Sequence, residues 1–217
     1  MLLPRVNTKL HVGVVLGDNL KWSEHIERVL KRVAGPVHLC KQLAYNHRLP
    51  SPVIRRFYVA YIRPRMEYCS AVWGGCSQTL LARLERVQLQ LVRALFHAYR
   101  NLPKSELLRM AGLPTLGWRR REHHLLMLWK FVHHLGPPQL ELRLPKPVST
   151  RAALNLRRGH SIEFPGSTSA RHLSSFLCVS IPDWNNLPSF VVDCQSVPVF
   201  RGNLRAHFVD DKYSFGL

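Results

Sequence analysis

The segment from Gln78 to Tyr99 limits the possible folds more than any other. Leu80, Leu84, Val87, Leu91 and Leu95 repeat at helical spacing, and Leu81, Leu89, Val92 and Phe96 form a second apolar stripe. Between the stripes, Arg83, Arg86, Gln90, Arg93, His97 and Arg100 make one polar strip. A helix that is apolar around most of its circumference is packed on several sides, and the strip is the surface it leaves exposed. Such a helix belongs inside a bundle, so the chain is expected to be mainly α.

The flanking segments read in the same way. Lys9 to Leu16 is a short β-branched run ending at Gly17-Asp18-Asn19, expected as a strand and a turn. Ser23 is placed to cap a helix running toward Tyr45, with Glu24 and Glu27 in its first turn. Gly35-Pro36 is expected to kink or break that helix. A second helix is expected from Ser51, as cap, with Pro52 at its first position. At 100° per residue Val53, Phe57, Tyr58, Tyr61 and Tyr68 fall toward one side, and Arg56 and Arg63 fall opposite. Pro64 is placed to bend this helix. Ser105 to Gly112 reads as a short glycine-closed helix. Leu116 to Leu135 reads as another, with Trp118, Leu125, Leu128, Trp129 and Val132 inward and Arg119, His123, Lys130 and His134 on the other side.

Gly136-Pro137-Pro138 through Pro147 breaks the helical pattern and is the best place for a linker. The organisation expected is a strand segment over 1–22, a helical domain over 23–136, a proline-rich linker over 137–150 and a small C-terminal segment over 151–217. That last segment reads as irregular α/β, with short strands or loops near Leu154 to Phe164, a turn around Trp184 to Pro188 and a final helix near Val197 to Phe208.

Charge decides which partners to consider. Thirty-one Lys and Arg stand against 13 Asp and Glu, a formal net charge of +18 over 217 residues. Such an excess attracts polyanions and resists compaction through self-repulsion. Nucleic acid is favoured over an anionic membrane surface, because the basic residues spread over several segments rather than gathering beside one lipid-inserting helix. No run approaches the ~18 apolar residues that span a bilayer, and Met1 to Arg5 lacks a signal-peptide core. The chain is expected inside the cell, in nucleus or cytoplasm, with no membrane partner. Its five cysteines lack C-x-x-C spacing and read as reduced, mostly buried thiols.

No catalytic centre or metal site is legible. Magnesium-dependent polymerases and nucleases need carboxylates converging on the metal, whereas the one adjacent acidic pair, Asp210-Asp211, reads as a surface pair near the C-terminus. There is no G-x-S-x-G nucleophile elbow. His123 and His134 share a helix face, but eleven residues of helix rise about 16 Å, too far to chelate one ion. What recurs instead is a basic side on each of three helices, with few acids to pair it. Arg56, Arg63, Arg83, Arg86, Arg93, Arg100, Arg119 and Lys130 are therefore the candidate nucleic-acid contacts.

The order of motifs also resembles a known family. His11-Val12-Gly13-Val14-Val15-Leu16 followed by Leu20-Lys21-Trp22-Ser23-Glu24-His25-Ile26 is similar to the "YLGV-x-L … L-x-W-x-x-H-I" stretch just after the palm of non-LTR (LINE-type) retrotransposon reverse transcriptases. Tyr61-Ile62-Arg63-Pro64-Arg65-Met66-Glu67-Tyr68-Cys69-Ser70-Ala71-Val72-Trp73 resembles that family's "Y-x-x-x-R-P-x-L-E-Y-x-x-x-x-W". Leu84-Glu85-Arg86-Val87-Gln88 resembles its "LE-x-x-Q" helix, and Trp184-Asn185-Asn186-Leu187-Pro188 its late "W-N-x-L-P". The four matches fall in the family's order over nearly the whole chain, most like the CR1/L2/jockey-like elements.

The resemblance implies the end of the palm, a thumb-like helical bundle and the tail of an RNA-directed DNA polymerase. It places the family's aromatic-Ala-Asp-Asp turn, its two magnesium ions and its fingers upstream of residue 1. On that reading the chain needs no cofactor of its own and has no polymerase activity alone. It would hold RNA, an RNA–DNA hybrid or a DNA duplex through phosphates, and a palm and fingers in a longer chain are a further possible partner. No C-terminal Cys/His knuckle is present to bind RNA. The alternatives are a truncated element copy without present function, a protein-interaction module, or an unrelated basic DNA-binding regulator.

Overall fold

A computed structural model describes residues 7–46, 48–97, 102–136, 161–166, 169–209 and 211–216. The protein is mainly helical, and among the described residues the sheet at the N-terminal end is two-stranded and antiparallel. Chain contacts divide it into two units. Residues 1–118 with 212–217 form the first, and 119–211 form the second. The boundary falls within a helix, whereas the expected linker at 137–150 lies outside the described residues.

In the first unit the opening run is a hairpin rather than a single strand. β1 (Thr8–His11) pairs with β2 (Val14–Gly17), His11 facing Val14, so the chain reverses at Val12-Gly13. Both turn residues have positive φ, 43° and 82°, as a type I′ turn requires. Gly13 adopts this freely, while the β-branched Val12 is strained there, and that valine is what hid the turn from the sequence.

α1 (Ser23–Tyr45) follows, with Trp22 as its N-cap residue and Ser23 already in the helix. It runs through Gly35-Pro36 without a break. The stripe Ile26, Val29, Val33, Val37, Cys40 and Ala44 is buried on both sides of the proline, and this packing outweighs one lost helical hydrogen bond.

α2 (Ser51–Phe57) passes into a π-helical turn (Tyr58–Ile62) and then α3 (Arg63–Glu67), where Pro64 stands in the first turn. The wider turn changes the phase of the whole stretch. Its buried apolar residues are Ile54, Tyr58, Ile62 and Met66, at a spacing of four, while Val53, Phe57, Tyr61 and Tyr68 are exposed. Of the five residues that 3.6-residue periodicity places on one side, only Tyr58 is buried. Ser51 is the first helical residue rather than the cap, and its hydroxyl donates to the Leu95 carbonyl at 2.8 Å.

After α4 (Ser70–Trp73), α5 (Gln78–Leu95) crosses the unit packed against α1. It ends at Leu95, short of the expected Tyr99. α6 (Lys104–Ala111) closes on Gly112 at φ 60°, as expected for a glycine-stopped helix. There Arg55 donates to the carbonyls of Ala111 and Gly112 at 2.5 and 3.0 Å, satisfying a helix C-terminus.

The second unit contains most of α7 (Leu116–Val132), then α8 (Ala170–Leu173), α9 (Phe176–Asn185), α10 (Ser189–Val192) and α11 (Val197–His207). Its core gathers Leu125, Leu128, Trp129, Ile181, Trp184, Leu187 and Phe200, whereas Val132, expected inward, is exposed. The final helix and the turn after Trp184 fall where the sequence places them. Of the strands or loops expected near Leu154 to Phe164, only 161–166 is described. Both backbone groups of Ile162 bond the Asn185 side chain at 2.9 Å, so a side-chain amide does there what a neighbouring strand would do.

Candidate nucleic-acid interface

Why α5 presents arginines outward follows from what it buries. Leu81, Leu84, Leu89, Leu91, Val92 and Leu95 are buried, and so are two polar residues, Glu85 and Gln88. These two build one connected network. The Tyr58 hydroxyl donates to Gln88 Oε1 at 2.6 Å, and Gln88 Nε2 donates to the Pro114 carbonyl at 3.0 Å and to Glu85 Oε1 at 3.2 Å. Glu85 Oε2 accepts the backbone N–H of Leu116, the first residue of α7, at 2.8 Å. A carboxylate at a helix N-terminus satisfies an orphan donor and opposes the helix dipole. The Thr115 hydroxyl accepts the Trp118 N–H at 2.9 Å and completes the cap.

The "LE-x-x-Q" pair is thus an internal clasp joining α5, the π-helical turn and the start of α7. Helical periodicity gives no sign of it, because Glu and Gln beside arginines read as surface. With both faces of α5 committed, the strip at Arg83, Arg86, Gln90 and Arg93 remains. Arg83 to Arg93 spans about 15 Å along the axis.

The strip is not uniformly available. Arg86 and Gln90 are exposed, whereas Arg93 is half-buried, with an Nε that has no hydrogen-bond partner among the described residues. Arg83 is held by Glu27 of α1 at 2.6 Å, and the guanidinium keeps that carboxyl below its ordinary pKa. Of the other candidates in this unit, Arg56 is exposed, and Arg63 is mostly covered 3.8 Å from Glu67. Arg100 lies outside the described residues.

In the second unit Lys130 is exposed, but Arg119 lies 3.9 Å from the buried Glu122. Arg205 approaches Glu122 at 2.5 Å, and Arg121 is paired with Asp183 at 2.8 Å. Arg63, Arg83 and Arg119 thus each stand beside one of the sparse carboxylates, Glu67, Glu27 and Glu122 in turn.

The other resembling stretches are structural as well. The Trp73 indole donates to the Tyr68 carbonyl at 2.7 Å, the Tyr68 hydroxyl donates to the Val12 carbonyl at 2.9 Å, and Trp184 and Leu187 are buried around the Asn185–Ile162 pair. Among the described residues no group of three His, Cys, Asp or Glu is arranged to hold a metal ion, and no helix is long and apolar enough to cross a membrane. Comparison with protein-family models, with curated proteins and with solved structures yields no match.

Proposed function

We propose that this chain is a non-catalytic, reverse-transcriptase-like C-terminal module that holds a template–primer duplex or element RNA through its phosphates. The observation that carries the reading is the exposed side of α5. Its remaining circumference is committed to packing and to the Glu85–Gln88 clasp, so Arg86, Gln90 and the outer part of Arg93 face outward. The net charge of +18 supplies the long-range attraction, and burial of Glu67, Glu85 and Glu122 removes acid from an already basic surface. Contacts of this kind position a duplex without reading its sequence.

The test is fluorescence anisotropy with an RNA–DNA hybrid and with scrambled duplexes, titrated across salt. Each phosphate contact contributes roughly −0.7 to −0.9 to the slope of log K against log salt. Replacing Arg56 and Arg86 with Gln reduces the slope by about two contacts and weakens all sequences alike. Salt-insensitive binding, or an unchanged slope in the double variant, rejects the reading.

One observation favours a protein-interaction role alongside it. Leu39, Leu49, Val53 and Phe57 are exposed around an apolar depression of about 150 Å³, and Phe57 stacks on the exposed Tyr61 with ring centroids 5.0 Å apart. Replacing Val53 and Phe57 with Ser separates the two roles. It removes apolar association and leaves the salt slope intact.

A further inference from the structure

Beside the hairpin turn the first unit holds a cavity of about 440 Å³, within the range of small-ligand sites. Gly13, His25, Arg28, Arg32, Arg65 and Tyr68 contribute to its wall. Arg28 and Arg32 are one turn apart on α1, and like charges at that spacing repel. Neither is in an ion pair among the described residues. Glu24 and Glu27 line an adjoining depression with Arg28, Lys31 and Arg32, but Glu27 is held by Arg83. Arg65 of α3 also lines the cavity; its guanidinium lies 3.4 Å from the Tyr61 ring centroid and donates to the Tyr61 carbonyl, which fixes its position.

The turn is fixed too. Tyr68 bonds the Val12 carbonyl, and a Cβ on Gly13 would stand 3.3 Å from the Tyr68 ring. His25 is buried, and its Nδ1 accepts the Val15 N–H at 3.3 Å, so the neutral ring carries its proton on Nε2. Among the described residues no group accepts from that nitrogen. Burial and, secondarily, Arg28 lower the pKa of the ring, so it stays neutral beside the arginines.

We propose that this cavity is a phosphate-binding site, in which Arg28 and Arg32 of α1 and Arg65 of α3 engage one phosphate group. Three guanidinium groups suit a tetrahedral dianion with oxygens on several sides better than a planar carboxylate, which one arginine satisfies. The site does not depend on the role of α5, nor on the reverse-transcriptase resemblance. The phosphate is either the 5′ phosphate of a nucleic-acid strand or a free phosphate ion.

Calorimetry on the full chain with inorganic phosphate, and with a short oligonucleotide with and without a 5′ phosphate, tests this and separates the sources. R28Q/R32Q is expected to weaken phosphate binding by at least about tenfold, and R65Q to weaken it in the same direction. R86Q is expected to leave inorganic-phosphate binding unchanged while weakening the oligonucleotide with and without its 5′ phosphate alike, so loss of binding through α5 and loss of this site are distinguishable. Tighter binding of the 5′-phosphorylated oligonucleotide than of its unphosphorylated form identifies the strand end, and tighter binding of inorganic phosphate than of either identifies the free ion. Circular dichroism and a urea midpoint establish that each variant is folded. Wild-type phosphate affinity in folded R28Q/R32Q and R65Q, or no phosphate binding by the unaltered chain, overturns the proposal.

Discussion

Helices α5 and α7 each carry three arginines, and the two sets end in different surroundings. In α5 they are Arg83, Arg86 and Arg93, within about 80° of arc, so they share one strip, in which Arg86 is exposed and Arg83 and Arg93 are half-buried. In α7 they are Arg119, Arg120 and Arg121, three consecutive residues spread over about 200°. A run of that width on a packed helix brings charge against its own protein. Arg120 is buried, and Arg119 and Arg121 keep only 15% and 13% of side-chain exposure beside Glu122 and Asp183. Arg121 also lies 4.3 Å from the Phe208 ring centroid. The spacing of basic residues, more than their number, decides whether they serve the fold or remain for a polyanion.

The largest expected effect tests the buried side of α5. Glu85→Ala removes the acceptor for the Leu116 N–H and for one Gln88 donor in a site closed to water. It should lower unfolding stability by about 3 kcal/mol in urea titrations. A loss under about 0.5 kcal/mol would show that the clasp does not hold α5 in place, and the outward strip would lose its structural reason. In the second unit Glu122→Ala should cost about 2 kcal/mol. The smaller figure reflects Arg205, whose side chain is 54% exposed and can rehydrate when its partner goes.

The arginines themselves sharpen the contrast. Arg121→Gln should cost about 1 kcal/mol through the Asp183 pair and the Phe208 contact, with no change in the salt slope of hybrid binding. Arg86→Gln should do the reverse, staying within about 0.5 kcal/mol in stability and losing one phosphate contact. If Arg121→Gln flattens the slope as Arg86→Gln does, the division between structural and available arginines is wrong.

Sequence pattern reached as far as local periodicity holds. α1, α5, α6 and α11 are legible as helices because their apolar residues recur at 3.6, but of their ends only that of α6, at Gly112, carries a clear stop signal. In the stretch from Ser51 to Glu67 the π-helical turn at Tyr58–Ile62 sets the buried apolar residues at a spacing of four, and nothing in Tyr-Val-Ala-Tyr-Ile announces it. The hairpin was missed because Val12 occupies a turn position that glycine or asparagine usually marks. Candidate contacts were legible as residue types but not as free groups. Pairing of Arg83 with Glu27, 56 positions apart, and of Arg121 with Asp183, 62 apart, is tertiary information. The same holds for the cavity that joins Arg28 and Arg32 to Arg65.

Arg83 gives the smallest and most discriminating prediction, because it is the one arginine of the α5 strip already held by a carboxylate. The Glu27 side chain is 48% exposed and that of Arg83 34%, so solvent screens the pair and its contribution to stability is slight. Its effect on binding is different, since a guanidinium bonded to Glu27 must leave it to engage a phosphate. Glu27→Gln releases Arg83, and the salt slope for an RNA–DNA hybrid should steepen by about one contact, roughly 0.7 to 0.9. Adding Arg83→Gln to that variant should return the slope to its starting value. Lowering pH has the same sign: the Glu27 pKa is depressed in the folded state, so the pair is intact above the ordinary glutamate value and is lost as pH falls through the depressed one. Binding in the unaltered chain should therefore gain salt sensitivity on acidification, and Glu27→Gln should abolish that gain. An unchanged slope in Glu27→Gln would exclude Arg83 from the interface and confine it to the part of α5 from Arg86 onward.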